Sequence, residues 1–351
     1  MTTQSGTETF HDPLVGADVT DLPDGFFDRL MFNMHPTDGQ APSVIMGFGI
    51  YPPKDTVDGF VVLTQAGEQR NLRFSSLLSA TGRNGAGPFR FEVVEPNTEW
   101  RLALGANEIG VEFDVRWHAR TPAWFGEVAV ENASATKTSF DHLFQSGRYQ
   151  GELTIDGAVV PVDGWYGQRD RSRGVRTMSG GQGLHIWYQA QFPDYSIGFL
   201  LVETRDHDRL LLEGAVMHVD GRLDPITDVR HALVFTDERD LVDGEVEVTT
   251  ASGQRLRVYA DARAGGGFMA GAGYGGHHGV SHGVDHVESD RYALDSSVSP
   301  RSFDSALTDR LCTFELLGEG EQDAEGSGAK GSGIFEFAVT RSSKYSYRAS
   351  L

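Results

Sequence analysis

Val162-Asp163-Gly164-Trp165-Tyr166-Gly167-Gln168-Arg169-Asp170-Arg171-Ser172-Arg173-Gly174 is the stretch on which the reading of this chain turns. It follows an alternating run, Tyr149 to Ile155, and an Asp156-Gly157 turn. It precedes a second alternating run rich in aromatics, His185 to Phe192. Arg169, Asp170, Arg171 and Arg173 place four charges within five residues. Between two strands such a cluster reads as an exposed connection, and loop ends carry function more often than strand centres do. Asp170 is therefore the first candidate for chemistry.

Outward from this stretch the dominant period is two. Val111, Phe113, Val115 and Trp117 alternate with Glu112, Asp114, Arg116 and His118, the pattern of a strand with one apolar face. Arg255 to Ala260 repeats it, as do Phe60 to Thr64, Phe89 to Glu95, Ile197 to Val202 and Phe335 to Val339. Asp220-Gly221, Asp243-Gly244 and Ser252-Gly253 punctuate the runs, and Asp-Gly accepts the positive φ of tight hairpins. Helix signals are few. Phe26, Phe27, Leu30, Met31 and Met34 recur at helical spacing after Asp24, a plausible cap, and predict a helix packed on a barrel end. A second short helix is predicted around Phe303, Ala306 and Leu307. Many short strands with hairpin turns imply sandwiches or barrels.

At 351 residues the chain is too long for one ordinary core and comfortable for two domains. Ser179-Gly180-Gly181-Gln182-Gly183 reads as a joint and places a boundary near Met178. The acidic, glycine- and serine-rich segment from Gly318 to Gly333 reads as a hairpin loop. A net charge of −20 repels nucleic-acid phosphate and anionic membrane, so neither is expected as a partner. No run approaches the length of a membrane span, and residues 1–21 lack the basic and apolar regions of a signal peptide. The one cysteine, Cys312, excludes an internal disulfide and fits a buried inert thiol in a cytoplasmic protein.

Val162-Asp163-Gly164-Trp165 followed by Arg169-Asp170-Arg171-Ser172-Arg173-Gly174 resembles the central motif of the AttH and carotenoid 1,2-hydratase superfamily. The strand His185-Ile186-Trp187-Tyr188 after it and His142-Leu143-Phe144-Gln145-Ser146-Gly147 before it fit the same pattern. Gly49-Ile50-Tyr51-Pro52, Asp58-Gly59-Phe60-Val61, Glu92 to Pro96 and Gly275 to Glu288 extend the similarity over roughly Phe32 to Leu311. The resemblance implies an all-β fold of two tandem lipocalin-like (calycin) antiparallel β-barrels with few short helices. The first would span residues 1–178 and the second residues 179–351. It also implies a hydratase, dehydratase or cyclase of hydrophobic isoprenoid-like substrates (terpenoid, steroid or polyketide), working without an organic cofactor. Arg171 stands where the superfamily has a histidine and Arg173 where it has a tryptophan. Cations beside Asp170 favour its ionised form, which weakens it as a proton donor and suits a salt-bridged structural role.

Protonating an alkene needs an acid held neutral by burial, and aromatic faces then stabilise the carbocation. On this reading Asp170 is the acid, Tyr166 and His142 support it, and Arg169 orients it. Trp165, Trp187, Tyr188 and Gln145 line the cavity, which lies in a barrel or between barrels. A second reading makes Asp170 and Arg169 a junction ion pair in a non-catalytic binder of apolar ligands. A third makes the protein a metal-dependent enzyme using His277, His278, His282 and His286, four imidazoles in ten residues. Their spacing matches no standard metal pattern, so no metal is assigned, and a glycine-rich loop closing a barrel mouth with His278 and His282 toward the substrate is the alternative. Gly265-Gly266-Gly267 lacks a nucleotide-binding context, and no nucleophile elbow or Walker pattern is present. Homodimerisation is left open.

Overall fold

The computed structural model describes residues 14–15, 21–65, 67–82, 84–131, 137–176, 182–317 and 328–351. The joint predicted at 179–183 lies outside them as far as residue 181, as does the loop predicted from Gly318 as far as residue 327.

The chain is nearly all β, and the expected fold class holds. Eleven strands make up the first half: β1 (Phe26–Met34), β2 (Ser43–Tyr51), β3 (Thr56–Gln65), β4 (Glu68–Leu77), β5 (Gly85–Ala86), β6 (Phe89–Glu95), β7 (Glu99–Leu104), β8 (Val111–Ala119), β9 (Trp124–Glu131), β10 (Lys137–Ile155) and β11 (Ala158–Val175). The second half supplies β12 (Gln182–Gln191), β13 (Tyr195–Thr204), β14 (Arg209–His218), β15 (Leu223–Phe235), β16 (Leu241–Thr250), β17 (Arg255–Phe268), β18 (His286–Ala293), β19 (Thr308–Leu317) and β20 (Lys330–Val339). Strands β12 to β17, β19 and β20 close into an eight-stranded antiparallel barrel. Gly331 and Gly333, predicted as loop, lie inside β20.

The first sheet runs β18-β4-β3-β2-β1-β11-β10-β8-β7-β6-β5, with β9 on the free part of β10. Among the described residues it is curled rather than closed. Its ends approach one another, since Phe74 on β4 stacks on Phe89 on β6 with ring centroids 5.5 Å apart. Closure would need the outer edge of β4, and β18 from the second half occupies it, pairing from His286↔Ser75 to Ala293↔Glu68. Asn71 and Arg73 on β4 bond Asp290 on β18, and Arg73 also bonds Glu288. No helix among the described residues is long and apolar enough to cross a membrane.

Three expectations are corrected. Phe26 to Met34 is a strand. Phe26, Leu30, Phe32 and Met34 fill the core of the first sheet, while Phe27 and Met31 pack on the opposite face against the second barrel. A strand apolar on both faces loses its alternation, and the remainder imitates helical spacing. The segment around Phe303 to Leu307 is turn and irregular chain, and the one α-helix described is the short Leu78–Thr81. Finally, Val162 to Gly174 is no exposed connection: it lies wholly inside β11, between β1 and β10.

Charges sit in that central strand because each meets a partner. Arg171 donates through Nε and Nη2 to the two carboxylate oxygens of buried Asp28, both at 2.9 Å. The Arg169 guanidinium lies over the rings of Trp100 and Trp117 and donates to Asn97 Oδ1 at 2.7 Å. Paired and π-stacked cations tolerate removal from water. Both point into the first sheet's core, where Trp100, Trp117, Phe48 and Tyr149 pack. A separate core, with Ile186, Tyr188, Phe199, Val246 and Phe314, fills the closed barrel.

Candidate active site

Between the sheets lies a third apolar cluster built from Phe27, Phe140, Phe144, Trp187, Leu200 and Met217 among others. It exists because successive strand residues face opposite ways. On β11 Arg169 and Arg171 turn inward, so Asp170 turns outward into this seam. On β12 Ile186 and Tyr188 turn into the closed barrel, so Trp187 meets Asp170 from the other side. Arg120 clamps the sheets beyond it, donating to the carbonyls of Phe192 and Tyr195 and to Ser196 Oγ.

His142 on β10 is the centre of the seam. Its Nε2 lies 2.6 Å from Asp170 Oδ2, and its Nδ1 bonds Glu213 Oε1 on β14. Trp187 Nε1 donates to the same Asp170 oxygen at 3.0 Å, and Trp124 Nε1 on β9 donates to Glu213 Oε2 at 2.9 Å. The ring of Phe144 stands edge-on to the imidazole, 4.4 Å between centroids. Burial would lower the His142 pKa, but Asp170 and Glu213 outweigh it and raise the value to about 10. His142 is thus an imidazolium at neutral pH, with both N–H groups donating to carboxylates. The Arg176 guanidinium lies over Phe27 and Phe140 in the same seam and interacts with Asp170, so a second cation accompanies the two carboxylates. The Asp170 side chain is 13% exposed, so the carboxylate faces the seam and not bulk water.

Gly126 on β9 makes this packing fit. A Cβ there would lie 1.8 Å from Glu213 Oε2 and 3.1 Å from Trp124 Nε1.

Asp170, His142 and Trp187 are thus brought together as expected, while the other expected residues are dispersed. Arg169 leaves the opposite face of β11 from Asp170 and joins Gln145, whose Nε2 donates to the carbonyls of Asn97 and Thr121. Trp165 packs on the first core. Tyr166 is held between the guanidiniums of Arg120 and Arg148. Tyr188 is sealed in the second core, stacked on Phe199 at 4.9 Å. Arg171 engages Asp28 across the strand from Asp170, so its charge serves that pair.

His278 and His282 lie in the loop that precedes β18. His278 stands 3.4 Å from the buried Asp58 carboxylate, which accepts the Gly279 N–H at 2.6 Å and the Tyr51 hydroxyl at 3.3 Å. Burial and the nearby Arg29 push His278 down to about 4, against Asp58. His282 stacks between His277 and His286, with centroids 4.4 and 5.0 Å apart. Among the described residues no group of three or more His, Cys, Asp or Glu side chains is arranged to hold a metal ion.

Sequence reasoning missed Glu213 and Trp124, and it missed a further carboxyl pair on the seam face of the closed barrel. Asp309 on β19 is directly opposite Glu336 on β20, which is in turn opposite Trp187 on β12. Their signal is an acid inside an apolar run, as in Leu210-Leu211-Leu212-Glu213 and Ile334-Phe335-Glu336-Phe337.

A family described as "Family of unknown function (DUF8625)" matches residues 12–340. No curated protein matches the chain. Among solved structures, an AttH-like protein from Nitrosomonas europaea superposes with a TM-score of 0.59 at 12% identity, covering 89% of this chain and 92% of that one. Kievitone hydratase from Nectria haematococca gives 0.45 at 12% identity, over 97% and 96% of the two chains. CghA gives 0.46 at 10% identity, over 90% and 88%. The AttH-like likeness, at this identity, is one of fold.

Proposed function

This chain belongs to the DUF8625 family, and we propose that it is a hydro-lyase or cyclase acting on a hydrophobic, isoprenoid-like small molecule (terpenoid, steroid or polyketide) in the seam between its two sheets. The observation that carries this reading is the buried imidazolium of His142 bridging Asp170 and Glu213 amid aromatic rings. Hydration, dehydration and polyene cyclisation share a cationic transition state. A carboxylate fixed in a low-dielectric seam stabilises such a state, and it is already oriented before reaction. Aromatic faces of Trp187 and Phe144 add to that stabilisation.

Within this centre Asp170 is held by both the His142 imidazole and the Trp187 indole. Both of its hydrogen bonds fall on Oδ2, which leaves Oδ1 to meet substrate or water. His142 carries no free lone pair, so it orients Asp170 and balances charge and does not itself activate water. Glu213 and Trp124 fix the imidazole from behind.

The test is a panel of linear isoprenoid alcohols and alkenes incubated with wild type and Asp170→Asn. Loss of turnover with binding retained supports the reading. Binding in both proteins with turnover in neither identifies an apolar-ligand binder and overturns it.

A further inference from the structure

We propose that Asp309 is the proton donor of the seam, replenished from solvent through Glu336 and His185. The proposal rests on the functional reading above and supplies what that site lacks. His142 gives both of its ring N–H groups to Asp170 and Glu213, so the proton for a substrate has to come from elsewhere.

The geometry has three parts. First, the side chains of Asp309 and Glu336 are cross-strand partners on the barrel face that carries Trp187, Leu311 and Ile334 into the seam. Second, Asp309 is fully buried, and no hydrogen-bond donor reaches either of its carboxyl oxygens. Two carboxyl groups this close, with no donor for one of them, are satisfied when they share a proton. Burial and the neighbouring Glu336 accordingly hold Asp309 well above the usual carboxylate range. Third, Glu336 has a route outward. His185 Nε2 lies 3.0 Å from Glu336 Oε1, and the His185 side chain is 22% exposed where Glu336 is 9% exposed.

Trp187 links the two centres. Its indole N–H bonds Asp170, and its backbone register sets it opposite Glu336. A substrate over this indole would meet an acid on one side and the Asp170 carboxylate on the other. In hydration the Asp309 O–H bond breaks as a C–H bond forms on the alkene, leaving a carbocation and an ionised carboxyl pair. Water then forms the C–O bond, and the proton it loses returns to the Asp309–Glu336 pair. Dehydration is the same sequence reversed. Each turnover restores the starting protonation, and His185 exchanges the shared proton with solvent between turnovers.

Infrared difference spectroscopy at neutral pH tests the shared proton without any substrate. The expected result is a buried carboxylic-acid C=O band in wild type that is lost in Asp309→Asn and kept in Asp170→Asn. Glu336→Gln, equally isosteric, should move or remove the band, and His185→Gln should slow its shift on transfer to deuterium oxide. With linear isoprenoid alkenes, Asp309→Asn should lose turnover by about 10²–10⁴-fold. No band in wild type, with turnover intact, overturns this proposal alone. A band in wild type with full turnover in Asp309→Asn also overturns it. A band in wild type with no alkene converted overturns the functional reading, and the donor role with it, while the shared proton stands.

Discussion

His142 Nε2 reaches Asp170 Oδ2 at 2.6 Å although the two residues are diagonal neighbours: the ladder sets His142 opposite Ser172 and Phe144 opposite Asp170. Diagonal contacts of this kind are within reach of long or aromatic side chains. The diagonal leaves Phe144 free to stand edge-on to the imidazole and exclude water from it. The ring's other nitrogen, pointing across the seam, is left for Glu213.

Stability should therefore depend on the His142 charge. Its folded pKa is about 10 against an ordinary 6.5, so the folded protein holds the proton more tightly than the unfolded chain. The contribution is fully present below pH 6.5 and is lost as pH rises through about 10. Urea unfolding at pH 6, 8 and 10 should show this decline in wild type and a flatter profile in His142→Gln. At pH 6 the variant should be weaker by about 3–5 kcal/mol, because two buried carboxylates lose their cation. An equal slope in both proteins contradicts the assignment.

His35 and His278 should act in the opposite direction. Burial holds each down to about 4 in the folded state, with Arg29 adding to the effect on His278. Each stays neutral while the unfolded chain takes up a proton, so stability is complete above pH 6.5 and falls as pH drops from there toward 4. Nuclear magnetic resonance titration of the imidazole resonances checks both. A midpoint near 6.5 for either ring would refute its neutral state.

Gly126→Ala tests whether Glu213 is needed where it stands. The added Cβ would overlap Glu213 Oε2, so the carboxylate has to withdraw from His142. The His142 pKa should fall toward the ordinary range, with a loss of about 1–3 kcal/mol from overpacking. An unshifted His142 titration would show that Glu213 can move without consequence.

Arg171→Met should cost about 3–5 kcal/mol, since Asp28 is left charged in the first core without its cation. Pairing it with Asp28→Leu should recover most of that, as seen by the urea midpoint. Failure of the second substitution to rescue would mean that Arg171 supports the core through contacts other than Asp28.

The strands were legible wherever one face was polar. Val111 to Trp117 alternates cleanly because Glu112, Asp114 and Arg116 face out while Val111, Phe113 and Trp117 pack inside. Legibility failed where both faces are buried. β1 read as a helix for that reason, and β11 read as a loop because its charges find partners that lie far away in sequence. Asp170 was identifiable as a lone carboxylate in an unusual motif, and His142 and Trp187 were found with it. Glu213 and Asp309 were not, because their importance arises when strands from the two halves meet across the seam.

β18 carries a consequence for how the two halves can be handled. It is coded after residue 178, yet it is the outermost ribbon of the sheet formed by residues before that point. An amino-terminal fragment ending there would present β4 as a bare ladder, with Arg73 stripped of Glu288 and Asp290. Such a fragment should self-associate when made alone and turn monodisperse when the carboxy-terminal fragment is supplied in trans. In this chain the later-synthesised half completes the earlier one.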